Sequence, residues 1–149
     1  MKKLSSVFYM GVGVAISLLA VLTMHLPFLQ VDGSIVSASS IFWSSGAGTI
    51  KGAWPAFVGF MLILASAIAL LILALPYVQP SAKVEKIVLI SVLTFQIVGA
   101  ILVLFVGVIY SSMNPIEVST VSLCPGWFIF LVLMLLDLGC SVMALVLDW

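Results

Sequence analysis

The chain has 149 residues, of which 64% are hydrophobic and 7% charged, and its formal net charge is zero. A mean hydropathy of +1.43 is more apolar than a soluble domain can cover, so a soluble globular class is excluded and an integral membrane protein is expected. All five basic residues are lysines dispersed along the chain, which leaves no basic face for nucleic acid or anionic headgroups.

At about 20 apolar residues per crossing, this length accommodates four membrane spans with short connections and no separate soluble domain. The chain opens on Lys2 and Lys3, and an uncharged run over residues 7–26 reads as the first span. This start also resembles a secretory signal, with small residues at Ser37 and Ala38, but the run is long enough to cross and is read as an anchor. Residues 27–53 form the first outer segment. In FLQVDGSIVS, Asp32 and Gly33 are the commonest two-residue hairpin turn, flanked by Val31, Ile35 and Val36, so a small β-hairpin is expected there. Beyond it, Ile41, Phe42 and Trp43 are apolar residues in a polar, glycine-rich stretch. They must cover the span ends, the bilayer surface or a partner.

Residues 54–75 read as the second span, 76–86 as a loop carrying Lys83 and Lys86, and 87–110 as the third span. Residues 111–126 make a second outer segment with Asn114, Glu117 and Cys124, and 127–147 complete the fourth span. Pro27, Pro55, Pro76, Pro80, Pro115 and Pro125 all fall at or beside span ends, where a helix terminus tolerates them. Lys2, Lys3, Lys83 and Lys86 against Lys51 place both termini in the cytoplasm. Trp54, Tyr77, Tyr110, Trp127 and Trp149 then fall near span ends and read as headgroup anchors. The expected fold is one all-α integral membrane domain over residues 1–149, a four-transmembrane-helix bundle with a small outer hairpin.

Several chemistries are excluded. Cys124 and Cys140 are 16 positions apart, about 24 Å along a helix, beyond disulfide reach. His25 is the sole histidine, and no His, Cys, Asp or Glu cluster has metal-ligand spacing. The Gly11-Val12-Gly13 stretch lies inside a span with no strand before it and is no phosphate loop. No enzyme activity and no cofactor are expected. Small residues four apart, Gly11 with Ala15, Gly13 with Ser17 and Ala65 with Ala69, allow close helix packing; Gly139 with Met143 is half of such a motif.

Asp137 is the exception in the oily run Leu133–Val142. Counted from Trp127 it lies about 15 Å deep, near the midplane, and Gln96 counted from Ile87 lies at about 13 to 14 Å. Ser17 and Ser66 fall near the centres of their spans, so a polar layer is expected, extended by Ser141 one turn below Asp137. Three readings stand. Asp137 is protonated and hydrogen-bonds Gln96 as helix glue. Alternatively it pairs with a Lys or Arg in a span of another membrane protein, since this chain offers no intramembrane cation. In the third reading it is the proton or cation site of a small transporter, with Gly99 and Gly107 loosening span three but, without proline, not breaking it.

Two cytoplasmic termini, a longer first outer segment with strands and a shorter second one resemble the claudin-type tetraspan arrangement, across the whole chain and as topology. The claudin signature, a Gly-Leu-Trp triplet with two cysteines, is absent: the first outer segment has only Trp43 and no cysteine. Barrier function and ion-selecting residues are therefore not implied. The run GTIKGAWPAFVGFMLILAS is similar to segments of small membrane proteins of Gram-positive bacteria, and lysine without arginine fits a bacterial plasma membrane. The function expected is a non-enzymatic accessory or interaction subunit of a membrane assembly, or alternatively a small proton- or cation-coupled transporter using Asp137. Its surroundings would be the lipid bilayer and a companion membrane protein, with self-association left open and no nucleic acid.

Overall fold

The computed structural model describes residues 4–43 and 50–147. Lys2, Lys3, Trp149 and the glycine-rich run 44–49, on which parts of the sequence reading rest, lie outside the described residues. Four helices are long and apolar enough to cross a membrane, which is the arrangement of a multi-pass membrane protein. They are α1 (Leu4–Leu22, continued by a 3₁₀ turn Thr23–His25), α2 (Trp54–Ala74), α3 (Ala82–Leu104) and α5 (Pro125–Leu147). α1 packs on α2 and α5, and α3 completes the ring between α2 and α5.

Proline sets several of the ends. Leu26 and Leu75, each preceding a proline, are extended rather than helical, because a proline ring crowds the residue before it out of the helical region. Pro55 sits in the first turn of α2, where its missing N–H costs nothing. α3 instead begins at a serine cap: the Ser81 hydroxyl accepts from the Val84 N–H at 3.4 Å. This start lies five residues before Ile87 and takes Lys83, Glu85 and Lys86 into the first turns of the helix.

The third span is broken. Phe105 leaves the helical conformation (φ −89°, ψ 12°), and the chain resumes as α4 (Val106–Met113). No proline is involved, so the expectation of an unbroken span is corrected. The indole N–H of Trp127 donates to the Leu104 carbonyl at 2.9 Å. A side chain entering the helical ladder is a recognised cause of a kink. Trp127 thus has a structural bond as well as a place near a helix end.

One end of the bundle carries a three-stranded antiparallel sheet in the order β2-β1-β3. β1 (Pro27–Val31) and β2 (Ser34–Ser37) form the expected hairpin, with Val31 opposite Ser34. Asp32 (φ 49°) and Gly33 (φ 85°) are both in the left-handed region that a type I′ turn requires. The third strand, β3 (Val121–Leu123), comes from the second outer segment and pairs Leu29 with Leu123. The sheet therefore ties the two outer segments together.

Two apolar clusters form the core. The larger lies toward the cap, where Phe28, Phe60 and Phe130 meet edge to face at 5.4 to 6.3 Å between ring centres. The smaller, at the opposite end, contains Met10, Leu70, Leu73, Leu89, Val92 and Ala144. α2 and α3 approach closely at Gly59 and Gly99: a Cβ on either would lie 2.7 Å from the other's carbonyl oxygen. Gly99 serves a backbone contact and not the loosening expected of it. Contacts of this kind hold helices together in lipid, where apolar burial drives association little.

Candidate functional site

Between the two apolar clusters lies a set of buried polar side chains. α1 presents Gly13 and Ser17, one turn apart on the face toward α5. The Ser17 hydroxyl donates to Asp137 Oδ2 at 2.5 Å, and both residues are fully buried. A Cβ built on Gly13 would lie 3.5 Å from Asp137 Oδ1, 3.3 Å from Leu70 Cδ1 and 3.7 Å from Cys140 Cβ. The small pair Gly13 and Ser17 thus makes room for the carboxyl and supplies its hydrogen bond.

Ser66 joins this level from α2, since Gly13 touches Leu70 across antiparallel helices and Ser17 then falls opposite Ser66. Its hydroxyl turns back to the Ile63 carbonyl at 2.7 Å and adds nothing to the Asp137 bond. Ser141, one turn along α5, is buried and makes no hydrogen bond, and neither does Asp137 Oδ1. A lower clamp closes the same pair of helices, where the Ser6 hydroxyl donates to the Ala144 carbonyl at 3.3 Å.

Gln96 departs from the expected layer. The Gly59–Gly99 contact places position 62 of α2 opposite Gln96, so Gln96 lies about one turn, roughly 5 Å, nearer the cap than Ser66. The cause is the early start of α3. Gln96 is fully buried, and neither its Oε1 nor its Nε2 has a hydrogen-bond partner. Asp137 is therefore bonded to Ser17 and not to Gln96, the partner expected by the glue reading. Hydrophobic side chains, including the Phe28, Phe60 and Phe130 cluster above and the Met10 and Leu70 cluster below, bound this polar region on both sides.

The cap holds a second constellation. Asp32 Oδ1 accepts from the Ser119 hydroxyl at 2.6 Å, the Thr120 N–H at 2.8 Å, the Ser119 N–H at 3.1 Å and the Thr120 hydroxyl at 3.2 Å. The Ser119 hydroxyl, followed by the Thr120 amide, holds the Asp32 carboxyl below its ordinary value of 3.8. Asn114 makes the other tie: its side chain accepts from Lys51 N–H at 2.6 Å and donates to the Lys51 carbonyl at 2.8 Å and the Tyr110 carbonyl at 3.0 Å. Sequence reading named both outer segments but not these bonds. Two turn-forming polar residues, Asp32 and Asn114, were the available signal.

Of the three apolar residues of the outer segment, Ile41 and Phe42 are buried, with the Phe42 ring 5.6 Å from Phe57 and 5.7 Å from Phe60. The reading of these two as partner-binding residues is corrected accordingly: the bundle itself covers them. Trp43 remains 62% exposed, its ring 5.0 Å from Phe57. Tyr110, expected as a headgroup anchor, is buried, whereas Trp54 and Tyr77 are exposed. Cys124 and Cys140 are free thiols. Among the described residues no group of His, Cys, Asp and Glu has the composition of a multidentate metal centre. No family model matches the chain, and no curated protein or solved structure matches it.

Proposed function

We propose that this chain is a non-enzymatic accessory or interaction subunit of a plasma-membrane assembly, bacterial in origin, with the sheet-bearing cap outside and both termini in the cytoplasm. The observation that carries the reading is the cap itself. Asp32 and Asn114 tie its two segments into one body, yet Trp43 stays 62% exposed and Ile116 90% exposed. A pre-ordered surface with an exposed tryptophan binds at low entropic cost, and tryptophan is over-represented among residues that dominate interfaces.

Burial of Asp137 shifts the partner contact away from the midplane. A lysine or arginine on another chain would have to part α1 from α5 and displace Ser17 to reach it. Proton- or cation-coupled transport has less support, because packed aromatic and aliphatic clusters lie on both sides of the polar region.

The test is recovery of the tagged full chain from native membranes in mild detergent. Trp43→Ala and Ile116→Ser should reduce recovery of a stoichiometric companion that Asp137→Asn leaves in place. Recovery of the chain alone, or a companion indifferent to both cap variants, overturns the proposal. Asp137-dependent cation flux in liposomes would favour transport instead.

A further inference from the structure

Asp137 is the only acidic or basic side chain in α1, α2 and α5 among the described residues. Burying a carboxylate in hydrocarbon without a compensating charge is expensive, and an intramembrane ionisable residue is retained for a use. Ser17 satisfies Oδ2 with a neutral hydroxyl, which orients the carboxyl but does not neutralise it. Oδ1 has no partner, and neither does the Ser141 hydroxyl one turn away on the same helix. Beside Oδ1 lies the cleft of Gly13, where a Cβ would sit 3.5 Å from that oxygen and 3.3 Å from Leu70 Cδ1.

We propose that the cleft between Gly13, Ser17, Asp137 and Ser141 is a binding site for one small, dehydrated monovalent cation, either sodium or a proton. Three features select this class. Carboxylate and hydroxyl oxygens suit hard cations. One carboxylate balances one positive charge, so a divalent ion would leave an excess charge in the bundle. A Cβ on Gly13 would already meet Leu70 Cδ1 at 3.3 Å and Asp137 Oδ1 at 3.5 Å, which leaves no room for an ion with its hydration shell. Ser17 holds the carboxylate plane, while Oδ1 and Ser141 supply the free oxygen ligands. Sodium would lie between them; a proton would sit on Oδ1.

The titratable groups on the surrounding elements are few. Cys140 is adjacent on α5, and its Cβ lies 3.7 Å from the Gly13 cleft. Tyr9 is on α1, one turn beyond Gly13, while Lys83, Glu85 and Lys86 lie in the first turns of α3, near the uncapped end. α2 contributes none. His25 and Asp32 belong to the cap side, beyond Ser17 in the chain. Comparison of wild type with Asp137→Asn subtracts the contributions of all of them.

The full chain in detergent is melted while sodium chloride replaces choline chloride at constant ionic strength, and again from about pH 8 to about pH 5. If sodium is the occupant, wild-type Tm rises by several degrees with sodium, while Asp137→Asn and Gly13→Ala do not respond. If a proton is the occupant, sodium has no effect, and wild type gains Tm in acid relative to Asp137→Asn. In that case an infrared carbonyl band of a protonated carboxyl is present in wild type and Gly13→Ala but missing from Asp137→Asn. Parallel melting of wild type and Asp137→Asn in both titrations, with no infrared difference, overturns the proposal. Should Asp137→Asn fail to fold, Gly13→Ala decides the sodium arm, because its new methyl meets contacts of 3.3 to 3.7 Å. The wild-type infrared titration then decides the proton arm.

Discussion

Replacing Gly99 with alanine tests whether backbone proximity between α2 and α3 holds the bundle together. The new methyl would lie 2.7 Å from the Gly59 carbonyl oxygen and 2.9 Å from Ile63 Cγ1. The first of these atoms belongs to a helix backbone and cannot rotate away, so α2 and α3 must separate by several tenths of an ångström. Overpacking of this kind costs about 1–3 kcal/mol, and the better helix propensity of alanine returns about 0.5–1 kcal/mol. A net loss of up to about 2.5 kcal/mol follows. Gly11 and Gly139 provide the control, since a Cβ on either meets nothing within 4 Å; alanine there should be neutral or stabilise by up to about 1 kcal/mol. Unfolding in mixed detergent micelles, followed by tryptophan fluorescence, gives both values on one scale. Equal stability of Gly99→Ala and Gly11→Ala would refute the reasoning.

Asn114→Ala removes the clamp between Lys51 and Tyr110 and leaves the buried Tyr110 carbonyl without its side-chain donor, a loss of about 1–3 kcal/mol on the same unfolding scale. Trp127→Phe keeps the ring but deletes the donor to Leu104; a loss of about 1 kcal/mol is expected, with faster amide exchange around Phe105. Asp32→Asn should raise amide exchange at Ser119 and Thr120 while leaving the bundle intact. Because the folded Asp32 carboxyl lies below 3.8, its contribution is present above the unfolded value and is lost as pH falls through the folded one. Exchange protection at Ser119 and Thr120 should therefore persist at about pH 5 and fall below about pH 4, whereas protection that ignores acid would refute the assignment.

Much of this architecture was legible because membrane burial leaves coarse signals. Long apolar runs, prolines at their ends and an Asp-Gly turn located four helices and the hairpin to within a few residues. The start of α3 was misplaced because apolarity alone marks Ile87 as a beginning. The helix is in fact started by the Ser81 cap and admits two lysines and a glutamate in its first turns. That shift carried Gln96 out of the level of Asp137. β3 was missed because three residues of Val-Ser-Leu are too short to show a period, and its pairing with β1 bridges distant parts of the chain. The Ser17–Asp137 bond depends on the rotation of α1 about its axis. Spacing indicated a packing pair at Gly13 and Ser17 but not which helix they face.

The strand order β2-β1-β3 also dictates a sequence of events as the chain enters the membrane. The β1–β2 hairpin closes locally around Asp32 and Gly33, so it can form once α1 has crossed. The other edge of β1 must wait for Val121–Leu123, which arrives only after α2 and α3 are in place. Until then that edge shows unpaired N–H and C=O groups. Closure of the cap thus reports that the third crossing has reached its final side, and a chain stalled before β3 keeps an open strand to pair with whatever it meets.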